Sequence, residues 1–357
     1  MKKKILVAVL FFAFIISCTA DQVEEIEERD LGNVLFTSMD TGGIYLIDDN
    51  GNIVHQWTGL DARFARFLEN GTLLVIANDS SVPGKNESKG DAILREVAWN
   101  GTVLWAYTNP NIHHDMIKLP TGNVLALLRE KMSSENVERI SGHNKIKAET
   151  FWSDVIIEID HQTKEIVWEW HSQNELAIEK YTFNEKNNEW THANAIEFLA
   201  DGNTYNGKES FLISFRHLNT IMIIDKTTGD VMWEFGQGEL IGQHNPTLLE
   251  NGNILVFDNG RQQSRVVEID PNTNTIVWEY THDDFYAFKI SGAQRLSNGN
   301  TLITDGPKGY IFEVTPAKKI VWEYTNPYHD KKGNGEIFRA YKIDTTIAEE
   351  ILTNDES

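Results

Sequence analysis

Histidines and one arginine recur at matching points of a repeated pattern, and these residue types could share one reaction. Ile112-His113-His114-Asp115-Met116, Trp190-Thr191-His192-Ala193-Asn194 and Gly242-Gln243-His244-Asn245-Pro246 each stand just ahead of a hairpin. His114 and His244 precede the first leucine of their hairpins, Leu119 and Leu249, by five residues, and His192 precedes Leu199 by seven. Ser214-Phe215-Arg216-His217 ends the second strand of the third of these hairpin copies, which sets Arg216 level with Arg129 and Asn259. Neutral imidazole is a competent nucleophile near neutral pH. A guanidinium offers a planar fork to two oxygens, so the set suits a reacting oxyanion. One loop histidine alone is usually a surface or capping residue, and the shared register is what gives these weight. Zinc is the first rival, since three histidines can hold it. These, however, come from separate segments without local ligand spacing, and an arginine would repel a dication, so no metal is expected. No G-x-S-x-G elbow, Gly-rich phosphate loop or dinucleotide fingerprint occurs, and no cofactor is expected.

The elements that must position these side chains are strands of an internal repeat. Six segments share a turn, two aliphatic residues and then aromatics: GNIVHQW (51–57), GTVLWAY (101–107), KEIVWEW (164–170), GDVMWEF (229–235), NTIVWEY (274–280) and KKIVWEY (318–324). Their period-two alternation is that of a strand with one apolar face, and the aromatics are expected to pack between neighbouring units. Between them lie hairpins such as LENGTLLVI (68–76), LPTGNVLAL (119–127), LENGNILVF (249–257) and LSNGNTLIT (296–304), turning at a glycine. The pattern predicts an all-β fold, a six-bladed β-propeller of four-stranded blades over residues 31–343. NVLFTS (33–38), GIYLIDD (43–49) and NIVHQW (52–57) lack an innermost strand, and IFRAYKI (337–343) lacks partners. Pairing the N-terminal strands with that C-terminal strand closes the ring and removes its open edges. In such a ring the residues just before the inner strands gather at one mouth of the central channel.

The ends of the chain set the expected compartment. Lys2, Lys3 and Lys4, the apolar run from Ile5 to Ile16, and Ser17-Cys18 read as a lipoprotein-type signal peptide over 1–17, with Cys18 lipidated. Residues 18–30 read as an acidic tether and 344–357 as an acidic tail. The protein is thus expected to be exported, as a periplasmic or cell-surface lipoprotein held to the membrane by its anchor. Cys18 is the only cysteine, which excludes an intrachain disulfide and a cysteine nucleophile in the propeller. The net charge is −21, and −24 once the three lysines of residues 1–17 are removed, which argues against nucleic acid as a partner.

At HHDMIKLPTGN (113–123), THANAIEF (191–198), LISFRHLNTIMIIDKTTGDVMWEFG (212–236) and GQHNPTLLENGNILVFDNG (242–260) the chain resembles the bacterial, nucleotide-independent arylsulfate sulfotransferase family. The resemblance runs from about residue 110 to 325. It implies transfer of a sulfuryl group from an aryl sulfate ester to a phenol through a sulfohistidine intermediate. By the match His244 is the nucleophile, and Arg216, His192 and His114 hold the sulfuryl oxygens. Arg129 and His113 are further candidates. The substrates implied are small aryl sulfates and phenols. The chain departs from the family in leaving little room for an N-terminal β-domain, in lacking a cysteine pair, and in reading Thr191-His192-Ala193 where an aromatic and a bulkier residue are expected. The alternative is a non-catalytic envelope propeller that binds a ligand or a protein partner. A weaker third reading, a quinoprotein dehydrogenase, is disfavoured by the count of six and the missing cysteine pair.

Overall fold

The computed structural model describes residues 29–83, 91–141, 151–181, 188–331 and 333–343. The expected signal, Cys18, most of the tether and the acidic tail lie outside them. Six four-stranded antiparallel sheets form a six-bladed β-propeller. Blade 1 has the order Ile337–Ile343, Asn33–Ser38, Gly43–Ile47, Ile53–Trp57, so both ends of the chain build one sheet. Phe36 faces Ala340 and Leu35 faces Tyr341 across that seam. Blades 2 to 6 occupy 62–108, 112–171, 193–235, 244–280 and 292–325, each running from the inner strand outwards.

The repeat has a physical basis at each of its positions. The hairpin glycine, such as Gly252 at φ +84°, sits in the left-handed region that its turn requires. The residue after that glycine is polar because it reaches the third strand. Asn123 donates to Glu158, Asn253 to Glu268 and Asn300 to Glu313, each at 2.7 Å, and Thr72 donates to Glu96 at 3.2 Å. On the outer strand, His55, Trp105, Trp168, Trp233, Trp278 and Trp322 all pair with the third-strand residue next to a register shift, where the outer strand carries one extra residue.

The tryptophans join the blades, as their spacing predicts. Trp105 donates Nε1–H to the His161 carbonyl (2.8 Å), Trp233 to Asn274 Oδ1 (2.8 Å), Trp278 to the Pro316 carbonyl (3.1 Å) and Trp322 to the Asp49 carbonyl (2.8 Å). In blades 1 and 3 the donor is the aromatic two residues on: Trp57 reaches the Ala98 carbonyl (3.2 Å) and Trp170 that of Gly229 (3.0 Å). Each bond lands on the outer turn of the next blade, so six of them run round the ring. Apolar clusters fill the spaces between blades. One holds Leu199, Ile221, Trp233, Ile254 and Val267 of blades 4 and 5, and another holds Phe36, Ile47, Ile311 and Trp322 of blades 6 and 1.

Candidate active site

The three histidines come from irregular points at the starts of inner strands, while Arg216 follows the second strand of blade 4, Ser210–Phe215. The register shifts between Ile112 and Met116, between Ala193 and Ala195, and between His244 and Thr247. His114 (φ +59°), His192 (+51°) and Asn245 (+50°) adopt the left-handed backbone at these points. Bulges re-aim side chains, and non-glycine residues held at positive φ concentrate at functional sites.

His244 is 2% exposed, and its Nδ1 lies 2.6 Å from Asn259 Oδ1. The Asn259 amide nitrogen donates to the carbonyls of Ala287 (2.6 Å) and Ile290 (3.1 Å), which fixes the amide with its oxygen toward the histidine. An amide oxygen only accepts, so Nδ1 carries the proton and Nε2 keeps its lone pair. Burial, followed by the charge of Arg216, holds the His244 pKa well below its ordinary value, while the Asn259 bond opposes this weakly. The ring is thus neutral and oriented, with its lone pair at Nε2.

The other imidazoles form a connected group. The His114 ring meets His192 edge-on at 4.7 Å between centroids, and His192 stacks on His217 at 4.4 Å. His113 sits behind His114, with its Nδ1 2.6 Å from His114 Nδ1 and its Nε2 3.0 Å from Asp154 Oδ1, off hydrogen-bond alignment. Asp154 also accepts from Thr191 Oγ1 (2.5 Å) and the Ala193 amide (2.6 Å), which ties the His192 loop to the neighbouring blade. His192 Nδ1 donates to Glu189 Oε2, and Arg129 Nε lies 2.8 Å from Glu189 Oε1. Burial raises the Glu189 pKa, but the His192 bond and the His192 and Arg129 charges outweigh it and bring it to about 2. Burial lowers the His114 and His192 pKa values, and lowers that of His217 to about 4.

Arg216 donates to the Phe288 carbonyl at 3.4 Å and has no carboxylate partner within ion-pair distance among the described residues. Its charge nevertheless reaches both His244 and His192. Asp115, fully buried, accepts from Arg66 Nη2 (2.9 Å) and Arg339 Nη1 (3.0 Å). Arg339 Nη2 also donates to the Asn194 carbonyl at 3.3 Å, so this pairing adjoins the His192 strand. A guanidinium without a carboxylate, beside neutral imidazoles, is a setting for a tetrahedral anion.

The structure therefore groups the four: His114 contacts His192, and the charges of Arg216, His192 and His244 act on one another, with His244 also acting on His114. Of the two further candidates, His113 backs His114, and Arg129 serves Glu189. Sequence reasoning missed Glu189, His217 and the contact role of Asn259. Asn259 stood out only as the residue level with Arg216, and His217 only as its neighbour. Glu189, His192 and His217 lie close enough to hold a metal ion. Both carboxylate oxygens of Glu189 are already engaged, and Arg129 would oppose a dication, so the donor set fits hydrogen bonding better than coordination. Clefts of about 420 and 460 Å³ open elsewhere, at 175–181 with 229–234 and at 248–251 with 295–297, and border none of the four site residues.

Residues 18–241, more than half of the chain, match the family model described as Arylsulfotransferase (ASST). The match stops three residues short of His244, so the place of that residue rests on geometry. No curated protein matches. Among solved structures, a protein of unknown function from Bacteroides caccae is similar at 16% identity, over 87% of this chain and 98% of that one, with a TM-score of 0.54. A virginiamycin B lyase from Staphylococcus aureus is 14% identical over 84% of this chain and 86% of that one, with a TM-score of 0.46. The first likeness speaks for the fold alone.

Proposed function

The chain belongs to the arylsulfotransferase family, and from that membership we propose that it transfers a sulfuryl group from an aryl sulfate to a phenol through a sulfated His244. The observation that carries this reading is the Asn259 bond, which directs the lone pair of His244 to Nε2. In the first half-reaction the Nε2 lone pair forms a bond to sulfur, and the S–O bond to the aryl group breaks with its electrons on the phenol oxygen. In the second half an acceptor phenol attacks the same sulfur and the N–S bond breaks. Sulfuryl transfer, like phosphoryl transfer, needs mainly positioning and charge stabilisation. Arg216 and His114 supply donors for the sulfuryl oxygens, and His192 adds one only as the imidazolium. No nucleotide enters this cycle.

The test is to quench the protein during turnover of an aryl sulfate without acceptor and to map any added sulfuryl mass. A sulfated peptide containing His244 supports the reading; sulfation elsewhere, or none while the donor is being consumed, contradicts it. We further propose export and lipidation at Cys18, on the basic, apolar and small-residue order of residues 2–18. A fatty-acid label that enters the parent but not Cys18→Ala is expected, and equal labelling of both would reject it.

A further inference from the structure

We propose that Glu189 is a positioning residue that makes His192 the proton carrier of the transfer. This rests on the sulfuryl-transfer reading of the same site. Glu189 is held from several sides. Its carbonyl accepts from His217 Nδ1 (3.1 Å), its neighbour Trp190 donates its backbone N–H to the Trp152 carbonyl (2.8 Å), and Arg129 fixes one carboxylate oxygen at 2.8 Å. The other oxygen takes the Nδ1 proton of His192. An ionised carboxylate only accepts, so the His192 ring has a single orientation, with Nε2 directed away from Glu189. His217 stacks against one face of that ring, and His114 meets it edge-on. Arg129 and Arg216 are the remaining charges that act on it.

These three charges do not act alike on a protonated His192. The arginines disfavour the imidazolium and Glu189 favours it. An arriving sulfate monoanion adds negative charge on the Nε2 side and tips the balance toward the imidazolium. In the donor half-reaction His192 Nε2–H gives its proton to the departing phenolate oxygen as the S–O bond breaks. In the acceptor half the same nitrogen takes the proton of the incoming phenol as its oxygen bonds to sulfur, and His192 returns to its starting state. The Nε2 proton is taken up from solvent as the donor binds and is released again when the sulfated product leaves, so the full cycle balances with no co-reactant.

General-acid help matters most for a poor leaving group. Initial rates are therefore compared for the parent and Glu189→Gln on 4-nitrophenyl sulfate, whose phenol is acidic, and on phenyl sulfate, whose phenol is not. The expected result is a loss on the order of 100-fold on phenyl sulfate and of less than about tenfold on 4-nitrophenyl sulfate. Equal losses on both donors would reduce Glu189 to a structural part and overturn the proposal. If Glu189→Gln does not fold, Glu189→Asp, which keeps the charge but withdraws it from His192, is expected to show the same bias. Independently of turnover, ¹⁵N-histidine NMR should show His192 protonated at Nδ1 and titrating lower in the variant; an unchanged titration also overturns the proposal. A parent inert on both donors, with the NMR coupling intact, contradicts the transferase reading and removes the proton role with it.

Discussion

At the scale of residues, the central device is a pair of side chains that decide where imidazole lone pairs point. Asn259 does this for His244 and Glu189 for His192. Asn259→Ala removes the acceptor at Nδ1 and lets the wrong tautomer compete, so kcat of the folded variant is expected to fall on the order of 100-fold, while the lost bonds to the Ala287 and Ile290 carbonyls also lower its melting temperature. A loss below about threefold would mean that another group orients the ring. The same burial makes the site acid-sensitive. His114, His192, His217 and His244 all have folded pKa values below the ordinary 6.5, that of His217 at about 4. Between those values and 6.5 the unfolded chain binds more protons, so the stability they leave intact above 6.5 is lost as the pH falls toward 4. Glu197, raised to about 7 by burial, acts in the opposite sense between 4.5 and 7, as do the raised Asp258, Asp305 and His171 in their own ranges, against the four buried histidines. Melting temperatures at pH 7 and pH 5 should therefore differ in favour of pH 7; the reverse order would show that these histidines are not buried neutral. His114, His192, Arg216 and His244 were legible from the sequence because a repeat register places them. Glu189 was not legible, because it sits in a segment between blades that no repeat position covers.

At the scale of elements, the inner strands are placed by bonds in the outer ones. The six tryptophan donors join each blade to the next, and Trp322 spans the seam where blade 6 meets the closing blade. Trp322→Phe loses the bond to the Asp49 carbonyl and leaves a small gap at a ring that is 8% exposed. A cost of about 2 kcal/mol is expected, read by denaturant unfolding. A change below about 0.5 kcal/mol would mean that packing alone holds the seam. The strands 33–38 and 337–343 were readable to the residue, since alternation and turn glycines bound them. The shift of the donor to Trp57 and Trp170 in blades 1 and 3 was not, because the spacing of aromatics does not say which indole reaches the next turn.

At the scale of the whole molecule, the strand count decided the topology. A three-stranded start and a single strand left over at the end have one economical solution, the shared blade 1. The charge also belongs to this scale. A chain of net charge −21 presents an overall repulsive field to an anionic donor, while Arg216 attracts it only at short range. Raising the salt to about 0.15 M shrinks the Debye length to about 8 Å and screens the distant repulsion first. kcat/KM for an aryl sulfate should then rise by about two- to threefold over its low-salt value; a fall would mean that the net field at the mouth is attractive. The measurement that tests the central claim most directly is nitrophenolate release from 4-nitrophenyl sulfate by the body of the protein, residues 19–357, with and without phenol, beside His244→Ala. Phenol-dependent release by the parent and none by the folded variant is the result expected for a sulfated His244, whereas equal release by both would contradict it.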